Sequence, residues 1–550
     1  MPSSLLPFVL ALLAFALSSP AATSTIQLQP SDHVVIVGGG PAGVHYASLL
    51  AKKGMLNITI LEASHRVGGK SVTVVDDKGT PHELGTVFAI PTYTPVFNLV
   101  DEYDPLNTKF DFAYGQPNYL YAMGESAGGN DSDASAAVDF PHHVLQSLQQ
   151  IAPNASLVQL QALFLDQASR YLTLHHRIFG SYTYGLPPRP SNYTAIDMTA
   201  IDFLTTHNLT ALTSLFRFAY QQQGYGVLET IPAFYFLWWM HPDSVRSILR
   251  SQVVQSSVAS ELRGGFQRLW GAIAHAHRDA VMTVLGATVT RVTRGGLLPT
   301  DDPPSVSYIT SQNELVHVDC AHVVMAVDLS LYADLVTDLT VDERAIITGS
   351  SYTSSTFITT LFESEPSPVE TAAQIWHYRM KQGGGGRLSV LRNSKLALEY
   401  RGSTDWGDLV QGRQTRVAYQ YYDHPLSHVV RDHVTPLLRQ DLALAGMADV
   451  TVWTQRYFNY FPRFTSDGLK MGLPWKVWDM QGQHKTTWIG SSVSFESVLD
   501  VVAYNNKLIQ RVEVVARHEV ERDQAMSASS LNVCTAFVAA AWNRYVGTAS

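Results

Sequence analysis

The feature that most constrains the fold is an apolar strand that runs directly into a turn of glycines, Val34-Val-Ile-Val-Gly-Gly-Gly-Pro-Ala-Gly43. Gly38 allows a tight turn, Gly40 lets the backbone approach a pyrophosphate, and Gly43 lets the next helix pack closely on the strand. That helix begins near Pro41, so its unpaired backbone N–H groups would face a phosphate. The segment therefore predicts a parallel α/β unit with a dinucleotide site.

A second predicted strand, residues 58–62, ends in an acid that could bind the ribose of such a ligand. Glu62 lies 24 positions after Gly38, close to the spacing of about 20 residues expected for this carboxylate. A glycine turn in an unrelated α/β protein is the alternative. The strand before the turn, the helix predicted over residues 43–53 and the acid together favour the dinucleotide site.

A second pair of glycines follows the acid, in Glu62-Ala-Ser-His-Arg-Val-Gly-Gly-Lys70. This segment resembles the R-x-G-G-R/K element of FAD enzymes in the amine oxidase and phytoene desaturase superfamily. The glycine pair, which includes Gly69, would allow a second close approach of the backbone to the ligand. The resemblance implies FAD rather than NAD, and it places Arg66 and Lys70 near the adenosine ribose and the pyrophosphate. Lysine at the last position binds phosphate without the bidentate geometry of the commoner arginine. Without the resemblance, the two bases could also belong to a solvated loop.

The order of predicted elements indicates an α/β fold: a Rossmann-type FAD-binding domain, amine oxidase and glutathione reductase-like, interrupted by insertions. The predicted parts of the FAD-binding domain are residues 31–100, 255–345 and 451–515. Apolar residues at three- and four-residue spacing predict a mainly helical insertion over residues 101–254. Residues 346–450 are expected to form a mixed-sheet substrate domain, and residues 516–550 a helical tail.

Two later segments also resemble flavin-binding parts of this superfamily. A predicted strand contains Val289, the position that by resemblance contacts adenine through its backbone. A short strand ends at Gly490, and the helix predicted from Val498 would direct its N-terminus at the pyrimidine end of the flavin. Many superfamily members carry an acid directly after this glycine, where this chain has Ser491, so the ribityl contact stays open. An ordinary strand, turn and helix is the alternative.

The N-terminus has the features of a secretory signal peptide. An apolar run over residues 5–17 precedes Ser-Ser-Pro-Ala-Ala, although no Lys or Arg comes before it. The run is shorter than the roughly 20 apolar residues that span a bilayer. We therefore expect residues 1–22 to be removed and the protein to be secreted as a glycoprotein. Sequons consistent with this route begin at Asn130, Asn154, Asn192 and Asn208. Another begins at Asn57, but it opens a predicted core strand and is expected to be unused.

Composition argues against several classes of function. The 550 residues are 46% hydrophobic and 15% charged, which suits a large core and two or more domains. A formal net charge of −9 without a basic stripe argues against nucleic-acid binding. Cys320 and Cys534 are expected to be free thiols. The 20 histidines are scattered, without the carboxylate or cysteine neighbours of a metal site, so no metal is predicted.

A narrower resemblance spans nearly the whole mature chain. Glu83-Leu-Gly85, Gly224-Tyr-Gly226, Tyr460-Phe-Pro462 and Ser494-Phe495 occur in the order and rough spacing of FAD-dependent polyunsaturated fatty acid double-bond isomerases, the linoleate isomerase type. Such enzymes take a hydride from an allylic methylene onto flavin N5 and return it elsewhere, which gives a conjugated diene without net oxidation. The resemblance implies a long apolar tunnel that holds the substrate against the flavin. It implies no strong base, so the catalytic residues are unknown.

The residues that would bind a fatty acid are less well defined. In the enzymes that the chain resembles, an arginine after the glycine-rich segment is associated with the head group, and the comparable window here offers Lys109. A surface position is the alternative for this lysine. Tyr225, between two glycines, and Phe234 are candidates for the tunnel wall, and core packing is the alternative for both.

Two other functions stay open besides isomerisation. One is a flavin amine oxidase-like oxidase that passes electrons to oxygen and releases hydrogen peroxide, and the other is a flavin fold used for binding alone. Amine oxidases commonly display paired aromatic residues in a C-terminal motif, and Tyr460, Trp475 and Trp478 do not follow that pattern. The sequence therefore favours an FAD-dependent isomerase with a small apolar substrate, no nucleic-acid partner and no membrane span. It does not determine the oligomeric state.

Overall fold

A computed structural model describes residues 25–111, 119–122, 138–254, 259–295, 302–347, 351–368, 370–376, 379, 385–399 and 406–515. The predicted signal peptide over residues 1–22, the predicted tail over 516–550, the Asn130 sequon and Cys534 lie outside the described residues. Cys320 is a buried free thiol.

A five-stranded parallel sheet forms the centre of the fold, as the glycine-turn segment predicts. Its strands come from widely separated parts of the chain, and their spatial order is Thr486–Trp488, His322–Met325, Val34–Val37, Ile58–Glu62 and Val281–Leu285. The two strands nearest its centre are buried at every residue, because a parallel sheet covered on both faces requires continuous apolar strands. The helices Pro41–Lys52, Phe266–Ala276 and Val498–Leu508 pack together beside this sheet.

A six-stranded mixed sheet forms the second layer. Its order is Thr451–Phe464, Tyr352–Ser364, Gln414–Tyr422, Leu388–Arg392, Ala373–Trp376 and Tyr119–Ala122, and only the last pair is parallel. The edge strand Thr451–Phe464 falls in the segment that the sequence assigns to the FAD-binding domain. It extends the mixed sheet instead, because it pairs with Tyr352–Ser364 along nearly its whole length.

The region over residues 138–254 is helical, as its periodicity predicts. Its helices are Phe140–Ile151, Leu157–Phe179, Ala200–Thr206, Thr213–Gln221, Ala233–Trp239 and Pro242–Val254. Ser156 and Gln159 form a capping box that begins the longest of them. Every residue of Ala233–Trp239 is buried. In the part of the chain that the structure describes, no helix combines the length and apolarity needed to cross a membrane.

Smaller elements complete the fold. A three-stranded antiparallel sheet contains Thr288–Thr293, Ser305–Ile309 and Leu315–Asp319. Three two-stranded sheets pair Ile26–Leu28 with Val512–Val514, Thr73–Val75 with Pro81–Glu83, and Lys109–Asp111 with Ser260–Leu262. The other helices are Thr94–Tyr103, Tyr332–Leu335, Val341–Ile347, Ser394–Glu399, Trp406–Leu409, Arg431–Leu444, Ser466–Lys470, Leu473–Asp479 and Ser491–Ser494.

Candidate active site

A large cavity runs along the carboxyl ends of the parallel strands, the edge at which open parallel sheets bind ligands. This strand-end cavity holds about 1200 Å³ of space, including its open mouth. Its walls come from the turn after the first strand, from the second glycine pair and from the C-terminal segment. The predicted cofactor residues among its lining are Gly38, Gly40, Glu62, Gly69, Lys70, Gly490 and Val498. Folding therefore brings seven of the ten predicted positions to one site.

The glycines of the site are required by close approaches of the backbone. A Cβ built on Gly69, which has φ +50°, would lie 2.9 Å from the Cα of Gly40. A Cβ on Gly43 would lie 2.0 Å from the carbonyl oxygen of Gly38, so the helix packs on the strand as the motif predicts. Gly38 itself has φ +108°, a conformation that residues with a Cβ rarely adopt. These contacts form a narrow cradle at the start of the helix Pro41–Lys52.

Glu62 is oriented by backbone donors at the wall of the strand-end cavity. Its Oε2 accepts a hydrogen bond from the N–H of Gly39 at 2.7 Å, and its Oε1 accepts one from the N–H of Ser64 at 2.8 Å. Each carboxylate oxygen keeps a further acceptor position. A fixed carboxylate beside a glycine cradle and a helix N-terminus is the donor and acceptor set that a dinucleotide requires. The residues present therefore fit FAD.

The three other predicted cofactor positions do not line this cavity. Gly43 acts through helix packing. Val289 is partly buried in the small antiparallel sheet. The Arg66 guanidinium donates to the carbonyl oxygens of Val67, Gly69 and Ser71 at 3.2–3.3 Å, so it braces the second glycine loop from behind.

Lys70 makes a contact that sequence reasoning missed. Its Nζ donates to both carboxylate oxygens of Glu496, at 2.8 Å each. Glu496 also accepts a hydrogen bond from the N–H of Phe461 at 2.9 Å. Burial raises the pKa of the Glu496 carboxyl, and Lys70 and the Phe461 N–H oppose that rise. The available signal was the position of this acid, two residues before the helix predicted from Val498.

A narrow middle cavity adjoins the strand-end cavity and shares Thr86, Tyr460, Glu496 and Val498 with it. Tyr225, for which the sequence predicts a place in the tunnel wall, lines this middle cavity. The rings of Tyr225 and Tyr460 are parallel within 2°, with 6.2 Å between their centroids. Two rings at this separation are in direct contact, so they form one aromatic wall.

A narrow distal cavity adjoins the middle cavity on the side of the helical region. The two share Phe88, Tyr93, Gln222 and Gln223. The rest of its lining is apolar and consists of Ile90, Phe140, Leu215, Phe218, Ala219, Trp239, Ile248 and Ala259. Among the described residues that line the middle and distal cavities, Glu496 alone has an acidic or basic side chain. The three cavities, each of which shares wall residues with the next, form a route of adjoining cavities, and the distal cavity is the most apolar of them.

Two predicted substrate residues lie away from this route. Phe234 is buried and packs edge-on against Phe179, Trp238 and Trp475, so it has a core-packing role. Lys109 is exposed, and its Nζ lies 4.6 Å from the ring centre of Phe97. Neither residue lines any of the three cavities. Phe234 thus lies in the core and Lys109 at the surface, which are the alternatives that the sequence left open for them.

A buried polar cluster supports the wall of the middle cavity. Arg392 donates to the Tyr419 hydroxyl at 2.6 Å, to Glu261 at 2.8 Å and to the carbonyl oxygen of Glu83 at 2.9 Å. Burial raises the pKa of Glu83 to about 8 and that of Glu261 to about 7. The Glu83 carboxylate also accepts from the N–H of Phe266 at 2.6 Å. These bonds hold Tyr419 and the segment before Gly85 in place.

Another buried acid, Asp500, lies in the first turn of the helix Val498–Leu508. Asp500 accepts hydrogen bonds from the Trp238 indole at 3.0 Å, from the N–H of Gly185 at 3.1 Å and from the Ser497 hydroxyl at 2.6 Å. Burial raises its pKa to about 6. Through these hydrogen bonds, Asp500 links the C-terminal segment, which contains Val498, with the helical region.

Comparison with known proteins agrees with this geometry. The chain is 24% identical over 516 residues to the polyenoic fatty acid isomerase of Ptilota filicina, which covers 87% of this chain and 94% of that protein. It is 41% identical over 69 residues to the human flavin-containing amine oxidase B, covering 12% of this chain and 13% of that one. The crystal structure of a CLA-producing fatty acid isomerase from P. acnes has the same fold, with a TM-score of 0.63 at 18% identity over 88% of this chain and 99% of that one.

The family model of flavin-containing amine oxidoreductases matches residues 41–406. This match begins within the glycine cradle and continues through the helical region into the mixed sheet. Because it covers well over half of the 550 residues, and because the strand-end cavity fits FAD, the chain belongs to the family of flavin-containing amine oxidoreductases and is an FAD-dependent enzyme.

Proposed function

We propose that this enzyme isomerises double bonds of polyunsaturated fatty acids by hydride transfer to and from FAD. The observation that carries the proposal is the series of adjoining cavities that leads from the strand-end cavity past the aromatic middle cavity to the apolar distal cavity. A route of this shape fits a flexible hydrocarbon chain, and it offers little to a small polar substrate. The names of two similar proteins, a polyenoic fatty acid isomerase and a CLA-producing fatty acid isomerase, support the same substrate class.

The cofactor residues would hold FAD along the strand ends. Glu62 would bind the ribose, the cradle of Gly40 and Gly69 would admit the pyrophosphate, and the segment from Gly490 to Val498 would contact the flavin end. Bound FAD supplies an acceptor that takes a hydride and can give it back. The substrate then loses a hydride from the methylene between two double bonds and regains one at another carbon of the same unit, so its hydrogen count is unchanged.

The walls of the middle and distal cavities supply position rather than acid–base chemistry. Tyr225, Tyr460 and Phe357 form an aromatic surface where the reacting part of the chain would lie. The distal cavity holds the apolar end of the chain and excludes water, which protects an electron-deficient carbon from hydrolysis. Orientation of this kind contributes to catalysis because it replaces an encounter with a prearranged contact.

The direct test is anaerobic incubation of the FAD-loaded enzyme with linoleate and with a longer polyene. We expect conjugated-diene absorbance to appear without oxygen uptake. An amine oxidase-like oxidase would instead consume oxygen and release hydrogen peroxide when amines are supplied in air. Peroxide formation with amines, together with no diene from any polyene, would overturn the proposal.

The enzyme is also proposed to be secreted after removal of residues 1–22. Asn154, Asn192 and Asn208 are exposed in the structure, and so is Asn57, although it directly precedes a core strand. Exposure is what glycosylation in the secretory route requires. Expression of the full chain in a secreting eukaryotic host tests this: the expected product starts near residue 23 and loses mass on deglycosylation. Retention of an unprocessed chain inside the cells would contradict it.

A further inference from the structure

The ion pair of Lys70 and Glu496 lies where the strand-end cavity meets the middle cavity. Glu496 lines both cavities, and Lys70 lines the first. The Glu496 side chain is only 4% exposed, whereas that of Lys70 is 32% exposed. An ammonium has three N–H donors, and the two Glu496 oxygens account for two of them. The pair therefore places one positive and one negative charge beside the cofactor site.

The backbone around Glu496 is held in conformations that are unfavourable for residues with a side chain. Phe495, directly before it, has φ +107°, and Phe461, whose N–H donates to Glu496, has φ +48°. The two phenylalanine rings are buried and pack edge-on, with 5.0 Å between their centroids. Strain of this kind persists only where the surrounding structure imposes it, and it occurs mainly at functional sites. Both strained residues adjoin Glu496, Phe495 through the peptide bond and Phe461 through the hydrogen bond to the carboxylate.

Lys70 is fixed just as firmly. A Cβ built on Gly85 would lie 1.6 Å from the Lys70 carbonyl oxygen, so the chain passes Lys70 at a distance that only glycine allows. The preceding Gly68 and Gly69 both have positive φ. The Lys70 Nζ also lies 5.2 Å from the ring centre of Tyr460, in the range of a cation–π contact. Backbone, carboxylate and aromatic face together determine where the ammonium lies.

The geometry points to Lys70 and Glu496 as a charge-balanced pair that sets the reduction potential of the bound FAD. Lys70 lines the cavity that would hold the cofactor, and Glu496 is a positioning residue that orients and neutralises Lys70. The value of such a balance rests on the proposed function, because an isomerase must return the hydride that it takes. A net positive charge at this pair would favour retention of the electrons by reduced FAD. A net negative charge there would oppose the uptake of electrons by oxidised FAD.

The two charges make opposite predictions, which a purely structural pair would not. Glu496→Gln leaves the Lys70 charge uncompensated, so reduced FAD is stabilised and the reduction potential of the bound FAD rises. Lys70→Met leaves the buried Glu496 carboxylate uncompensated, so the reduction potential falls. Asp328 lines the same cavity and adds negative charge, which reinforces the second effect. We expect an uncompensated unit charge in the wall to change the affinity ratio of reduced to oxidised FAD by about tenfold, which is about 30 mV for two electrons.

The test measures the midpoint potential of FAD in the wild-type enzyme, in E496Q, in K70M and in the double variant K70M/E496Q. We expect the midpoint potential to rise in E496Q, to fall in K70M and to return to near the wild-type value in K70M/E496Q. K70M is measured at pH 7 and pH 9, because loss of the ammonium favours protonation of the carboxylate, and the fall is expected at pH 9. K70R keeps the charge and is expected to keep the potential.

The matched control is the exposed pair of Lys52 and Glu102, whose Nζ and Oε1 are 2.8 Å apart and whose side chains are 42% and 48% exposed. K52M and E102Q are expected to leave the potential unchanged. Equal-sign shifts in E496Q and K70M, or loss of thermal stability without any potential shift, would overturn the inference. The potential of E496Q cannot be measured if that variant loses FAD. In that case the double variant K70M/E496Q must retain FAD, because it has no unpaired charge. Loss of FAD from both variants would also overturn the inference. These potentials are measured without substrate, so failure to form a diene would refute the proposed function and leave this result intact.

Discussion

Substitution of Gly69 by alanine tests whether the contact between the two glycine turns is what admits the cofactor. The new Cβ would lie 2.9 Å from the Cα of Gly40, whereas nonbonded carbons pack at about 3.5–4.0 Å. The turns must therefore separate by about 0.6 Å or more. Gly40 lies at the start of the helix that faces the phosphates, so this separation lengthens hydrogen bonds to a charged group.

Loss of one such hydrogen bond costs about 1.5–3 kcal/mol, which corresponds to a Kd for FAD that is roughly 10- to 150-fold higher. The assay is titration of the apoprotein with FAD, followed by flavin fluorescence. Thermal unfolding of the apoprotein is measured in parallel, because an alanine at positive φ also destabilises the backbone by about 1–2 kcal/mol.

Gly54→Ala is the matched control for that backbone cost. Gly54 follows the same helix and has φ +97°, but a Cβ there would have no neighbour within 4 Å. We expect both variants to unfold at lower temperature and only Gly69→Ala to lose affinity for FAD. Wild-type affinity in Gly69→Ala, or an equal loss in Gly54→Ala, would refute the reasoning.

Three further predictions concern the substrate route and its support. Ala219→Phe fills part of the distal cavity. If the new ring displaces three substrate methylenes at about 0.8 kcal/mol each, kcat/KM for linoleate falls roughly 50-fold. Ala162 is exposed, so Ala162→Phe should leave kcat/KM unchanged. Lys109→Ala should leave KM within about twofold, because Lys109 lies outside the route, and a larger rise would restore it as a head-group residue. Burial raises the pKa of Glu83 from 4.5 to about 8, so the folded protein binds this proton more tightly than the unfolded chain does. The free energy of unfolding therefore falls as pH rises through that interval. From pH 5 to pH 9, the unfolding temperature should fall less in Glu83→Gln than in the wild type.

The cofactor site is the part of the molecule that local sequence predicted best. A tight turn, a helix start and an acid at the end of a strand each depend on a few consecutive residues, so Gly38, Gly40 and Glu62 could be assigned before the fold was known. The helical region was predicted for the same reason, since its periodicity is local. The edge strand over residues 451–464 was assigned to the other domain, because sheet membership depends on a partner about 100 positions away.

The substrate candidates show where local reasoning stops. Tyr225 and Phe234 are both aromatic residues in apolar segments, yet one lines the middle cavity and the other packs in the core. Residue type cannot distinguish these outcomes, because both surroundings are apolar. Arg66 and Lys70 diverge in the same way: one braces its own loop, and the other pairs with an acid 426 positions away.

The sequence by itself determined the parallel sheet and the glycine cradle, because these follow from backbone conformations and spacings within short segments. FAD rather than NAD was implied by the family resemblance of the second glycine pair. Only the tertiary structure decided the three joined cavities, the contact of Tyr225 with Tyr460 and the pairing of Lys70 with Glu496. Each of these unites residues that are far apart in the chain, and their distances depend on how the whole core packs. The chemistry of the cofactor was therefore readable in the chain, and the surroundings of the substrate were not.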